Sequence, residues 1–198
     1  AEPETARLAV LESHPEWIVK ALRQALLGHG TASTETIDAE LQALLAADNA
    51  PPIVHLVARP GLGAESDLRA GGATESDLAP TAWTLPGGDP GAIAAVRDGR
   101  GAVQDAGSQL IALALSRVSL EGPAAEAREG WLDLCAGPGG KAGLLAALAG
   151  QVGADLVANE VSEHRVELVR QTLGGLVERA RAAGRVLEVR VGDGREVG

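Results

Sequence analysis

Phenylalanine, tyrosine and methionine are absent from the 198 residues, and tryptophan occurs three times. A core must therefore be built from Leu, Val, Ile and Ala. Apolar types make up 45% of the chain, enough to bury one domain or two small ones. Cysteine occurs once, as Cys135. That excludes an intramolecular disulfide framework and fits a reducing compartment. One Cys and four scattered His offer no metal-ligand spacing, so no metal is expected. No apolar run approaches the ~20 residues of a membrane span, and no secretory signal pattern is present. A cytoplasmic protein without a membrane partner is the expectation. Positive charge is also scarce. Residues 1–100 carry 7 basic and 14 acidic groups and residues 101–198 carry 10 and 13, for a net −10. Neither half has the charge of a nucleic-acid surface.

Glycine is abundant, and it is densest where the chain reads Asp133-Leu134-Cys135-Ala136-Gly137-Pro138-Gly139-Gly140-Lys141. Trp131 to Leu134 reads as a short buried strand and Ala142 to Ala149 as an apolar helix. A strand, a glycine-rich turn and a helix N-terminus make a nucleotide-type binding corner, because glycine permits close approach and the first helical N–H groups point outward. A P-loop would need glycine at Cys135 and Ser or Thr at Ala142, which excludes an NTPase of that type. The glycines also miss the dinucleotide spacing Gly-x-Gly-x-x-Gly by one, with Pro138 inside the turn. An S-adenosylmethionine loop, which needs no pyrophosphate cradle, fits better. A purely structural tight turn is the bland alternative.

Taken in order, the chain predicts a first helix with Ser13 as N-cap, Pro15 in its first turn and Gly28 at its end, Trp17 packing in the core rather than stacking on RNA. A second helix is predicted from Thr36 to Ala47, with Ile37, Leu41, Leu44 and Leu45 on one face. Ile53 to Val57 reads as a strand, Arg59-Pro60-Gly61 as a turn, and Trp83 to Leu85 as a short strand before the loop Pro86 to Gly91. Glu65-Ser66-Asp67-Leu68 and Glu75-Ser76-Asp77-Leu78 echo each other, but are too short for a repeat architecture and read as helix starts or turns. A domain boundary is expected near residue 100, giving domains 1–100 and 101–198. Asp105 caps a helix from Ala106 to Leu120 that turns Leu110, Ile111, Leu113, Ala114 and Leu115 to a core and ends at Gly122-Pro123, before the charged segment from Glu126. Strands Leu156 to Asn159 and Val186 to Val191 flank a helix capped by Ser162. Strands alternating with helices predict an α/β fold, the start of a doubly wound parallel sheet.

In such a sheet ligands bind at the C-terminal strand ends. Those ends carry Cys135 to Gly139, Glu160 and Asp193. Glu160 follows Gly139 by 21 residues, near the ~20-residue spacing of a ribose-binding acid. A carboxylate can accept from both ribose hydroxyls, although a solvated strand end would look the same. Lys141 opens the helix, where a cation is unfavourable against the dipole by ~0.3–1 kcal/mol; contact with a cofactor carboxylate or with RNA would explain it. Asp133 is placed to accept from a cofactor ammonium group.

The full string Asp-Leu-Cys-Ala-Gly-Pro-Gly-Gly-Lys at 133–141 resembles the first motif of RNA cytosine-C5 methyltransferases of the Sun (Fmu) family. Val103-Gln104-Asp105-Ala106-Gly107-Ser108-Gln109-Leu110 resembles the segment that precedes it, and Ser13-His14-Pro15-Glu16-Trp17-Ile18-Val19 the helix that opens the domain ahead of the catalytic one. The resemblance implies a small α+β, RNA-recognition-like unit followed by the first half of a Rossmann-like methyltransferase domain. It also implies S-adenosylmethionine as cofactor, held by Cys135, Ala136, Gly137, Pro138, Gly139, Gly140, Lys141, Glu160, Arg165 and Asp193, with Asp193 on the adenine amino group. RNA is the implied partner, 16S ribosomal RNA in particular. For direct RNA reading the first unit offers only Arg59, Arg69, Arg97, Arg100 and Trp83. C5 of cytosine becomes nucleophilic once a thiolate adds to C6, and the family's catalytic cysteines belong to later motifs than those present up to Gly198. Cys135 is therefore expected to pack in the cofactor turn as a small hydrophobe. The chain, which starts at Ala1 without an initiator Met, is expected to be a processed or excised piece that does not methylate RNA alone. A nicotinamide-dependent oxidoreductase, which Glu160 would serve equally well, and a non-catalytic cofactor-binding or interaction module are the alternatives.

Overall fold

The computed structural model describes residues 2–119 and 129–196. The chain divides into two compact units, Ala1–Pro52 and Ile53–Gly198. Helices α1 (Glu2–Leu11), α2 (Glu16–Gly28) and α3 (Ile37–Asp48) make the first. Leu8, Val19, Leu41 and Leu45 form its core, with Leu22 and Leu26 packed against them. α3 buries Ile37, Leu41 and Leu45 at the spacing that brings one face inward. Helix α1 has no counterpart in the sequence reading. Ser13 is not an N-cap: it sits at φ 54° between α1 and α2, and Pro15 takes the cap position. Trp17 is 71% exposed and not a core residue. The inward stripe of α2 passes through Val19, Leu22 and Leu26, and Trp17, two residues before Val19, lies ~200° round the helix from it.

The second unit begins with an antiparallel sheet in the order β2-β3-β1-β4, from β1 (Val54–Ala58), β2 (Thr74–Glu75), β3 (Ala82–Leu85) and β4 (Gly101–Val103). Short helices α4 (Glu65–Ala70) and α5 (Ala94–Arg97) lie between these strands in sequence. Leu56, Leu68, Trp83, Leu85 and Ile93 fill the core of this layer. Trp83 is thus buried, with the Arg69 guanidinium 5.4 Å from its ring centroid. Of the two similar segments, Glu65 opens α4, whereas Glu75 ends β2. β4 pairs with β1, Val57 opposite Ala102, so this sheet runs across residue 100. The two compact units meet in sequence at Pro52.

Helix α6 (Ala106–Leu115) starts as expected, with the Asp105 carboxylate accepting from the Ser108 N–H at 3.2 Å. It stops at Leu115 rather than Leu120, and its inward face carries Gln109, Ala112 and Leu113 while Leu110, Ile111 and Leu115 are exposed. Gln109 sets that orientation. Its amide donates to the carbonyls of Leu56 at 3.2 Å and Gln104 at 2.9 Å, and its side-chain oxygen accepts from the Thr81 hydroxyl at 2.7 Å. The helix end expected at Gly122-Pro123 lies outside the described residues, as does Glu126.

Strands β5 (Gly130–Asp133), β6 (Asp155–Glu160) and β7 (Leu187–Val191) pair in parallel in that order, as the sequence predicts. Between them run α7 (Gly140–Val152) and α8 (Glu163–Ala182). α7 is buried from Ala142 to Ala149, the environment a helix apolar on every side requires. Leu144, Leu145 and Leu148 join Trp131, Leu156 and Leu173 in the main core. Truncating one such leucine to Ala would cost ~2–5 kcal/mol. The parallel ladder brings the C-terminal ends of β5, β6 and β7 to one edge.

Candidate functional site

The turn after β5 is fixed by contacts from the next two elements. Ala136 N–H bonds to the Asn159 carbonyl at 2.8 Å, and Gly139 N–H to the Ala136 carbonyl at 2.7 Å. Gly139 takes φ 112° as the N-cap of α7, a conformation that favours glycine. A Cβ there would also lie 2.8 Å from Thr172 Cβ, and the Thr172 hydroxyl donates to the Pro138 carbonyl at 3.2 Å. Gly137 is equally confined, since a Cβ would lie 2.5 Å from Glu160 Oε2 and 2.8 Å from Arg165 Nε.

Glu160 is 3% exposed. Oε2 accepts from Gly137 N–H and Oε1 from Ser162 N–H, both at 3.1 Å. Arg165 Nη1 stands 3.6 Å from Oε2, and its Nη2 donates to the Gly137 carbonyl. The Ser162 hydrogen bond, with those of Gly137 and Val161 and the Arg165 charge, holds the Glu160 carboxyl below the ordinary glutamate value against the opposing effect of burial. Glu160 and Arg165 therefore brace the glycine turn from the β6 end. Both Glu160 oxygens retain lone pairs for a further donor.

Asp133 behaves in the opposite way. Burial pushes its carboxyl above the usual aspartate value, with Glu160 adding to the rise while the Cys135 N–H and Lys141 oppose it. Its Oδ2 is buried without a hydrogen-bond partner, the state of an acceptor awaiting a donor. Asp193, at the β7 end, pairs with Arg195, whose Nη2 is 2.5 Å from Oδ2. That contact holds the Asp193 carboxyl low. Gly192 N–H bonds to the Glu160 carbonyl at 3.1 Å, joining the β6 and β7 ends.

On its other side the turn borders a cavity of about 230 Å³ lined by Gln104, Asp105, Ser108, Cys135 to Pro138, Gly140 and Lys141. Cys135 is exposed and not packed as a small hydrophobe. β5 ends at Asp133, so the strand's alternation no longer governs Cys135, and Ala136 takes the buried place. The structure thus brings Cys135 to Lys141, Glu160 and Arg165 together and sets Asp193 at the adjoining strand end. Two residues escaped the sequence reading. Asn159 donates through Nδ2 to the Leu134 carbonyl at 3.1 Å and the Gly192 carbonyl at 3.0 Å, tying three strand ends together. Gln104 is buried with neither side-chain polar atom partnered. Its place in the Gln104 to Gln109 segment was the available signal; that it faces the turn is set by tertiary packing.

Residues 122–195 match the model of a family described as 16S rRNA methyltransferase RsmB/F. Two Mycobacterium tuberculosis proteins provisionally named methyltransferases, MT1451 of strain CDC 1551 and Rv1407 of strain H37Rv, are each 47% identical over 179 residues. The similarity covers 89% of this chain and 36% of theirs, so the chain spans about a third of the length of these relatives. The crystal structure of PH0851 superposes with a TM-score of 0.71 at 19% identity, over 98% of this chain and 40% of that one, a likeness of fold. Residues 122–195, the stretch holding the glycine turn, Glu160, Arg165 and Asp193, are thus similar to the 16S rRNA methyltransferase RsmB/F family, the Sun family of the motif resemblance.

Proposed function

We propose that this chain supplies the cofactor-binding part of an S-adenosylmethionine-dependent methyltransferase that modifies C5 of cytosine in RNA, with 16S ribosomal RNA as substrate and the cytoplasm as its compartment. The carrying observation is the Gly137–Gly140 turn clamped by Glu160 and Arg165 beside the unpartnered Asp133 Oδ2. These residues fit the group. Asp133 would accept from its ammonium, Glu160 from its ribose hydroxyls and Asp193 from its adenine amino group. Lys141 and the turn N–H groups would face its carboxylate. When bound, S-adenosylmethionine supplies the methyl group. The residues of this chain hold and orient it, and keep Glu160 ionised as an acceptor. Among the described residues no helix is long and apolar enough to cross a membrane. A functional division near residue 100, recognition ahead and cofactor binding behind, is part of the same reading.

Titration calorimetry of the chain with S-adenosylhomocysteine, S-adenosylmethionine and NAD tests it. The first two should bind and NAD should not. Tighter binding of NAD would favour the oxidoreductase reading instead.

A further inference from the structure

A second cavity, of about 350 Å³, is lined by residues of the β4 region and of α8, Thr172 among them. That is within the ~300–1,000 Å³ of small-ligand pockets. Four arginines line it, Arg59, Arg97, Arg100 and Arg179, with Asp98 as the one acid. Asp98 is engaged, since Arg100 reaches it at 3.2 Å while also pairing with Asp67. In a chain of net charge −10 this is a local excess of positive charge.

Arg59 is the unusual member. It is 1% exposed. Its Nη1 donates to the Gly99 carbonyl at 2.7 Å, but Nε has no partner. Among the described residues no carboxylate pairs with it, and burial alone pushes its guanidinium down to about 10. A buried cation without a counter-charge is costly. The chain nevertheless makes room for it: a Cβ at Gly143, in the first turns of α7, would lie 2.2 Å from Arg59 Nη2. Gly175, in the interior of α8, also lines the cavity, and a Cβ there would meet nothing within 4 Å. Glycine inside a helix costs roughly 0.5–1 kcal/mol against Ala, and no packing contact at this position requires it.

We propose that this cavity binds a phosphate group, with Arg59 as its buried anchor and Arg179 of α8 at its rim. Charge-assisted, forked hydrogen bonds from guanidinium suit phosphate geometry. The phosphate would come either from an RNA backbone or from a free phosphate or nucleotide. Neither observation depends on the methyltransferase reading.

The test uses the intact 198-residue chain, titrated by calorimetry with inorganic phosphate and pyrophosphate, and by fluorescence anisotropy with a short labelled single-stranded RNA. Phosphate or pyrophosphate should bind. Arg179→Glu should weaken that binding about tenfold or more, in keeping with loss of a charged hydrogen bond, with Tm close to the parent's because Arg179 is exposed. Gly175→Leu, which has room for its side chain, should weaken it as well. Arg59→Met should abolish binding if it folds, but the outcome rests on the other two variants. RNA displaced by pyrophosphate identifies the backbone as the source; RNA that is not displaced identifies the free anion. Absence of phosphate and pyrophosphate binding, or folded Arg179→Glu and Gly175→Leu proteins that bind as the parent does, would overturn the proposal. Titration of the same preparation with S-adenosylhomocysteine keeps failure of this site distinct from failure of the cofactor site.

Discussion

Glu160 and Asp133 stand one strand apart and are driven in opposite directions by their surroundings. Glu160→Ala removes the acceptor of two backbone N–H groups and of any ribose hydroxyl. Hydrogen bonds to charged groups contribute ~1.5–3 kcal/mol, so S-adenosylhomocysteine affinity should fall at least tenfold by calorimetry. Unchanged affinity would reduce Glu160 to a strand-end brace. Because its folded pKa is lowered, its stabilisation is present above the unfolded value and is lost as pH falls through the folded one. Asp133 has the reverse sign. Its folded pKa is raised, so stability falls as pH rises from the unfolded value toward the folded one. Asp133→Asn should therefore raise Tm at pH 7, keep the acceptor for the Cys135 N–H, and weaken S-adenosylhomocysteine binding. A lower Tm would show that the carboxylate stabilises the apo fold. Glu160 was legible from its spacing to the turn. That Arg165 would clamp the Gly137 carbonyl was not, because a residue in the first turn of a helix carries no mark of what lies across the turn.

Helices α7 and α8 each contain glycines whose surroundings give opposite forecasts. In α7, Gly143 faces the buried Arg59 guanidinium, so Gly143→Ala forces that side chain out of its place against the helix. In α8, Gly174 has open space around its Cβ position. Gly174→Ala should stabilise the chain by ~0.5–1 kcal/mol through helix propensity. Gly143→Ala should destabilise it by ~1–3 kcal/mol, as overpacking does. Urea unfolding midpoints for the two variants should move in opposite directions, and a matching shift would show that Arg59 yields freely. The sequence disclosed α7, α8 and their strands because each is a long apolar or periodic run bounded by turn residues. It misplaced the face of α6 for a physical reason. Leu110 to Leu115 is apolar throughout, with no polar stripe to phase it, and Gln109, the polar residue at its N-terminal edge, turns inward to bond with the antiparallel sheet.

The whole chain is acidic, yet the family matched over residues 122–195 is described by an RNA substrate. Trp83, the aromatic that the first sheet offered for stacking, is buried beneath it, which shifts any contact with nucleic acid toward clustered arginines rather than an aromatic platform. Attack on a base is not expected from Cys135. A nucleophile must reach C6 of a cytosine withdrawn from its stack. Cys135 is exposed beside Lys141 in the cavity next to the cofactor turn, so access does not exclude it; position does. It follows directly on the strand whose turn is proposed to hold the cofactor, where it would line the cofactor's side rather than the opposite face of the base. Incubating the chain with S-adenosylmethionine and RNA containing 5-fluorocytosine should trap no covalent adduct, by denaturing gel and mass spectrometry. A longer protein carrying the family's later cysteine motifs should form one, and its Cys135→Ser variant should still do so. An adduct formed by this chain and lost in a folded, cofactor-binding Cys135→Ser variant would make Cys135 the nucleophile and reverse the assignment.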